Sequence, residues 1–349
     1  MPARPCSRNF RRSLLRPDRM RFVTAEEIDA ALDFPRLMDA LANAFRGGIE
    51  APLRQRHAIA GDDRNSLLLM PAWTSGGGER FLGVKILTVY PENAERGLAS
   101  TTATYFLMSG ETGFPLAGFD GHALTVWRTA AASALASRYL SRADASRLLV
   151  VGSGSLPPYL VRAHASVRPI REIAIWNRTP KRAEALAMQL RAEALNVKAV
   201  SDLESATREA DIISCATLST APLIEGAWLK EGAHLDLVGG FTPAMREADD
   251  EAVARASIYV DTRAALTEAG DVAVPIARGI LRAEDIRGDL AGLCSGKARG
   301  RERPSEITLF KSVGTAIEDL AAAALLWEKR ASSGPVDKIG QPVPSNRHG

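Results

Sequence analysis

Three cations stand in contexts unlike the rest of the chain. Arg54 lies in Ala51-Pro52-Leu53-Arg54-Gln55-Arg56-His57. Lys85 lies inside the apolar run Gly83-Val84-Lys85-Ile86-Leu87, and Arg128 near the start of an alanine-rich stretch, Leu124-Thr125-Val126-Trp127-Arg128-Thr129. Guanidinium pairs bidentately with carboxylate, so together these residues would clamp a small carboxylic acid. Singly, each has a plainer use. A strand lysine more often faces water, a helix arginine more often lies on the surface, and Arg54 is one of several loop charges. Spacing alone does not bring the three together. His57, His122, His164 and His234 are scattered and read as structural. HExxH, GxSxG and GxxxxGK[ST] patterns are absent from the sequence.

A second candidate for chemistry is the stretch Arg147 to Thr179, RLLVVGSGSLPPYLVRAHASVRPIREIAIWNRT. Leu148–Val151 reads as a buried parallel strand, Leu160–Val167 as a helix and Ile173–Trp176 as a second strand. Gly152, Ser153, Gly154 and Ser155 fill the first turn of this βαβ unit, where a dinucleotide pyrophosphate meets a helix N-terminus. Gly152 permits the tight turn and Gly154 lets the backbone approach phosphate. The third glycine of G-x-G-x-x-G is replaced by Pro157, which suits a helix's first turn. NAD-binding units place Asp or Glu at the end of the second strand to hold the ribose. Here that end reads Asn177-Arg178-Thr179, with Lys181 and Arg182 beyond. With no carboxylate to repel a 2′-phosphate, and Arg178 able to pair with it, the pattern favours NADPH, with NADH as the alternative.

The elements that must position these residues follow from periodicity. The chain has 349 residues, a formal charge of +3 and the apolar fraction of a globular protein, which suits two domains and does not indicate nucleic acid binding. No apolar run reaches the length of a membrane helix. Cys6, Cys215 and Cys294 form no CxxC, which fits a reducing, cytoplasmic setting and no metal site. Residues 1–19 are arginine-rich and read as a targeting peptide, a disordered arm or translation from upstream of Met20. Thr24-Ala25-Glu26-Glu27 is a capping-box pattern, and a helix follows over Leu37–Phe45. Strand-like runs lie at His57–Ala60, Ser66–Met70, Phe81–Val89 and Thr102–Met108, with a hairpin signal, SGETG, after the last. Ala123–Leu140 is an alanine-rich helix. Beyond it strands at 197–200, 211–216, 234–238, 258–260 and 307–310 alternate with helices, giving a doubly wound α/β fold. The apolar-faced helix Thr315–Trp327 should return to the first half. The expected organisation is an extension over 1–19, an α+β dimerisation and substrate domain over 20–122 and 311–332, a Rossmann-type domain over 123–310, and a loose tail over 333–349.

Residues 20–330 resemble the ornithine cyclodeaminase/mu-crystallin family. The matching stretches are PLRQRHAI, LLLMPAW, FLGVKILTVYPEN, ALTVWRTAAASALAS, VVGSG, IWNRT, GAHLDLVGGFTPAMRE and ITLFKSVGTAIEDL. The resemblance implies a homodimer with a Rossmann domain and a discontinuous second domain. It implies that Arg54 (or, by a small shift, Arg56), Lys85 and Arg128 bind the substrate carboxylate, with Ser100 nearby. It also implies that Gly152, Gly154, Asn177, Arg178, Thr217, Val238 and Ser312 line the cofactor. Cyclodeaminases of the family carry an aspartate in VGGD, which handles the substrate amine. Here the run is Val238-Gly239-Gly240-Phe241. Phe241 cannot take a proton or pair with ammonium, and VGGFTPAMRE is similar to relatives that reduce cyclic ketimines. The expected activity is NAD(P)H-dependent reduction of Δ1-pyrroline-2-carboxylate to L-proline, and of the six-membered analogue to L-pipecolate. The alternatives are ornithine cyclodeamination, an open-chain amino-acid dehydrogenase and a non-catalytic NADPH-binding protein.

Overall fold

A computed structural model of the chain describes residues 20–59, 61–75 and 80–332. The expectations for residues 1–19 and 333–349 lie outside the described residues, as does Ala60 at the end of the first expected strand.

The first half builds one sheet. Its elements are β1 (Arg21–Val23), α1 (Ala25–Ala31), α2 (Phe34–Arg46), β2 (Ile49–Glu50), β3 (Gln55–Ile59), β4 (Asp62–Thr74), β5 (Phe81–Val89), β6 (Thr101–Ser109) and β7 (Pro115–Asp120). Thr24 caps α1 as its sequence suggests: Oγ1 accepts from Glu27 N at 3.4 Å and Glu27 Oε2 accepts from Thr24 N at 3.0 Å. The strands order as β1-β7-β6-β5-β4-β2, with β3 also on β4, antiparallel except for β1 beside β7. β4 runs well past Ser66–Met70 and includes Pro71. That proline falls between the β3 partners, which end at Leu69, and the β2 partners, which begin at Trp73, so the missing N–H breaks no pairing there. Phe81, Gly83 and Lys85 of β5 face inward under the helices, whereas Leu82, Val84 and Ile86 face outward.

α3 (Gly121–Leu140) joins the two halves, with Asp120 as its N-cap at 2.8 Å from Ala123 N. It is buried on nearly every side. Its alanines let it lie against α2 and β6 on one flank and the second sheet on the other. Gly121 is required, because a Cβ there would sit 2.5 Å from the Ala103 carbonyl carbon.

The second half runs through β8 (Arg147–Val151), α4 (Pro157–Ala165), β9 (Glu172–Trp176), α5 (Pro180–Arg191), β10 (Val197–Ala199), α6 (Leu203–Glu209), β11 (Ile212–Cys215), β12 (His234–Leu237), α7 (Asp250–Arg255), β13 (Ser257–Val260), α8 (Ala265–Glu268), α9 (Gly270–Ala277), β14 (Gly288–Asp289), α10 (Leu290–Ser295), β15 (Thr308–Lys311) and α11 (Ala316–Ser332). Eight parallel strands order as β10-β9-β8-β11-β12-β15-β13-β14. This is a Rossmann-type sheet that changes winding direction between β8 and β11, where such folds bind ligands at the carboxyl ends of the strands. β8, β11, β12 and β15 are almost wholly buried, which explains their apolar character. α4 starts at Pro157, earlier than the periodicity suggested, because both prolines fit its first turn. β15 slips between β12 and β13, and α11 then leaves the parallel sheet to pack on α2, α3, β4 and β5.

Candidate functional site

The glycine turn after β8 opens a cleft of about 300 Å³ lined by Gly152, Ser153, Gly154, Trp176, Asn177, Arg178, Arg182 and the segment Ala216–Ser219. Gly152 has φ +120°, and a Cβ there would lie 2.6 Å from Ala216 O, so the turn demands glycine. Over Gly154 the space is open. Because Pro157 and Pro158 carry no N–H, the amides offered to an anion at this helix start belong to the loop, Gly154 to Leu156. Asn177 Nδ2 donates to Thr179 O at 3.1 Å and shapes the turn after β9. The cleft thus gathers Gly152, Gly154, Asn177, Arg178 and Thr217; Ser155, Thr179 and Lys181 adjoin its lining in sequence without being part of it.

Val238 and Ser312 end neighbouring strands. Val238 N donates to Cys215 O, and Ser312 Oγ donates to Asp261 Oδ2 at 3.0 Å. Sequence reasoning missed what ties these strand ends together. Glu247 is fully buried, and its Oε1 accepts from Thr217 N at 2.7 Å and Thr217 Oγ1 at 2.8 Å. Its Oε2 accepts from Gly239 N at 2.8 Å and Gly240 N at 3.2 Å. One carboxylate therefore pins the loops after β11 and β12. Lys311, at the end of β15, sits 2.9 Å from Asp271 Oδ2 and 3.9 Å from Glu247 Oε2. Burial pushes Glu247 up to about 7 against the Lys311 cation. A Cβ on Gly239 would land 2.0 Å from Thr217 O.

The cations converge at the same carboxyl edge. Lys85 does not face water: it is 2% exposed, on the inner face of β5. Its Nζ lies 3.0 Å and 2.8 Å from the two carboxylate oxygens of Asp319 on α11. Arg128 Nε donates to Asp319 Oδ1 at 3.1 Å, and Nη1 donates to Glu318 Oε2 at 2.6 Å. Arg54 Nη2 donates to the carbonyls of Gly314 at 2.6 Å and Val313 at 3.1 Å, and pairs with Glu268 at 3.2 Å. Arg128 packs on Gly314 from another side: a Cβ there would be 2.5 Å from its Nη1. Asp261 holds this turn, with Oδ2 accepting from Val313 N at 2.7 Å and Gly314 N at 2.5 Å. Arg54, Lys85 and Arg128 therefore come together, through Gly314 and Asp319. Arg56 is exposed on β3, opposite Leu68. Ser100 Oγ donates to Pro91 O at 3.3 Å, inside the loop between β5 and β6. Phe241 is 46% exposed, just past the pinned Gly240.

Burial pushes Lys85 down to about 8, helped by the Arg128 cation and opposed by Asp319. Burial opposes the charge on Asp319, but the Lys85 and Arg128 cations outweigh it and hold Asp319 below the ordinary range. Burial raises Glu318 to about 7, against the pull of Arg128. The arrangement is a buried cation pair with residual N–H donors, able to orient a small anion and to hold a proton at Lys85 Nζ. Glu318 and Asp319 were not singled out in the sequence, since two acids in a helix's first turn usually serve its dipole.

The family model for the ornithine cyclodeaminase/mu-crystallin family matches residues 19–334. A Delta(1)-pyrroline-2-carboxylate reductase of Colwellia psychrerythraea is 36% identical over 319 residues, covering 89% of this chain and 100% of its own. The Thermococcus litoralis Delta(1)-pyrroline-2-carboxylate reductase, solved in complex with NADH and L-proline, superposes with a TM-score of 0.85 at 32% identity, over 93% of this chain and 100% of its own. An archaeal alanine dehydrogenase dimer with bound NAD superposes with a TM-score of 0.83 at 28% identity, over 93% and 99% of the two chains.

Proposed function

Because the chain belongs to the ornithine cyclodeaminase/mu-crystallin family, we propose that it reduces cyclic ketimine carboxylates with NAD(P)H: Δ1-pyrroline-2-carboxylate to L-proline, and Δ1-piperideine-2-carboxylate to L-pipecolate. The observation that carries this reading is the buried Lys85–Arg128 pair at the carboxyl edge of a Rossmann-type sheet, with Phe241 where a cyclodeaminase needs a carboxylate. The names and ligands of the Colwellia and Thermococcus reductases support it.

The cleft after β8 fits a dinucleotide, since Gly152 closes the turn, Gly154 leaves its backbone open, and Arg178 and Arg182 offer charge to a phosphate. When bound, NAD(P)H supplies a hydride. The protein's own part is binding and orientation. Lys85 and Arg128 grip the ring carboxylate, with Arg54 beside them, and so present the C=N carbon in a fixed plane. Phe241 gives an apolar wall, and burial of the pair excludes water. As hydride adds to carbon, the C=N π electrons move to nitrogen, and the protonated iminium becomes a neutral amine. That amine takes one further proton to become the amino-acid zwitterion. Lys85 Nζ, held by Asp319 and lowered to about 8, would supply that proton.

The outward residues of the first sheet support a homodimer. Leu82, Val84, Ile86, Phe106, Met108 and Trp73 are half-buried and contiguous, an apolar sheet face suited to a second copy. Cys215 and Cys294 are buried free thiols, which supports a reducing, cytoplasmic setting. The test is oxidation of NADPH and NADH with both imines side by side, and ammonia release from L-ornithine in parallel. Unchanged absorbance with every imine would defeat the reductase reading. Ammonia release would favour cyclodeamination, and oxidation of open-chain alanine a dehydrogenase.

A further inference from the structure

Lys85 and Arg128 do not stand in the interior as a surplus of positive charge. Asp319 and Glu318, both fully buried, face them at 2.6–3.1 Å. Once Glu318 is ionised, above about 7, two cations against two carboxylates leave the group with no net charge. Extending the count to Arg54, Glu268 and Asp261 adds one cation and two carboxylates, so no positive excess appears. Away from water these charges are poorly screened, and balance decides what else can enter. A site with spare cations would accept any small flat carboxylate. A balanced one would hold such an anion with its charge uncompensated, which is costly.

A ligand that brings its own cation escapes that cost. We propose that Glu318 and Asp319 make the site selective for ring acids carrying a protonated nitrogen, with Glu318 the specificity-determining residue of the two. The inference rests on the reductase reading and deepens it: the species bound is the zwitterionic iminium, not the anionic imine. Geometry supplies the acceptor. Glu318 Oε2 is engaged by Arg128, whereas Glu318 Oε1 is buried and has no hydrogen-bond partner. The hydroxyl of Tyr105, on β6 directly across from Lys85, is likewise buried without a partner. Unpaired buried polar atoms of this kind are rare and point to an absent partner. The ligand's carboxylate would take the remaining donors of Lys85 and Arg128, and its N–H the idle oxygen of Glu318. The charged and titratable groups around Glu318 are Arg128 on α3, Lys85 on β5, Asp261 after β13 and Asp319 on its own helix.

The test compares two probes of opposite character. Pyrrole-2-carboxylate is flat and anionic with no basic nitrogen; L-proline is a zwitterion. Both are titrated by calorimetry into wild type, Glu318→Gln and Glu318→Asp in the presence of NADH. At about pH 7.5, where Glu318 is mostly ionised, Glu318→Gln gives the clamp close to one more positive charge, and the affinity ratio should shift toward pyrrole-2-carboxylate by about tenfold or more. Glu318→Asp, which keeps the charge, should restore the wild-type ratio. A ratio in Glu318→Gln within about twofold of wild type would overturn the proposal. Should that variant not fold, wild type alone decides. Between about pH 7.5 and about pH 6 protonation of Glu318 should shift the ratio toward the anion, both probes keeping their charge, and a flat ratio would overturn it. Turnover of the imine by wild type tests the reductase reading separately, because the affinity ratio needs no turnover.

Discussion

Replacing Gly314 by alanine displaces Arg128 without changing any charge. Gly314 has φ +78°, a region that costs an alanine about 1 kcal/mol. The added Cβ would stand 2.5 Å from Nη1, 2.8 Å from Nη2 and 3.1 Å from Cζ of Arg128. Ordinary contact needs about 3.5 Å, so the guanidinium must withdraw by about 1 Å. It has little freedom to do so, being 5% exposed and tied to Glu318 at 2.6 Å and Asp319 at 3.1 Å. A displacement of that size at a substrate-positioning group costs about 100-fold in rate, or ~2.7 kcal/mol. We expect kcat/KM for Δ1-pyrroline-2-carboxylate to fall about 100-fold in Gly314→Ala, with NADH affinity by fluorescence changed less than about threefold. The assay is initial-rate NADH oxidation against imine concentration. If kcat/KM stays within about threefold of wild type while the protein is folded, Arg128 is not a positioning group and the clamp is wrong.

The other expectations are shorter. Lys85 must be protonated to donate, so kcat/KM should fall as pH rises through about 8, and a profile flat well beyond that point would exclude it as the donor. Arg178→Ala should weaken NADPH by about tenfold and NADH much less; equal losses, measured by fluorescence titration, would remove the reason for favouring the 2′-phosphate. If the proposed dimer forms through the outward face of β5, Val84→Lys should sediment as a monomer where the wild type sediments as a dimer, and a variant that stays dimeric would move the interface elsewhere.

The parallel half was legible because buried strands and glycine turns leave strong local marks. The βαβ unit at Arg147–Trp176 and the reciprocal cap at Thr24 are local features, and both are present. Facing was harder. β5 is apolar at Leu82, Val84 and Ile86 and also at Phe81 and Leu87, so alternation cannot say which side Lys85 takes. Partners distant in sequence were invisible: Lys85 and Asp319 are 234 residues apart, and Arg128 and Glu318 are 190. Glu247 carries no local mark in the sequence, yet it is the fully buried tether of two loops. A buried charge shows itself only when its partners are known, and no periodicity carries that information.

The insertion of β15 between β12 and β13 carries a consequence for synthesis. Strands made much earlier on the ribosome cannot complete their neighbours until residues 308–311 emerge, and the acids that neutralise Lys85 and Arg128 arrive only with the helix behind them. Until then the nascent chain holds an open seam in one sheet and two uncompensated cations in the other half. The segment made last therefore serves both halves, and loss of the final helix would strip α2, α3, β4 and β5 of their packing partner and leave Lys85 and Arg128 unpaired.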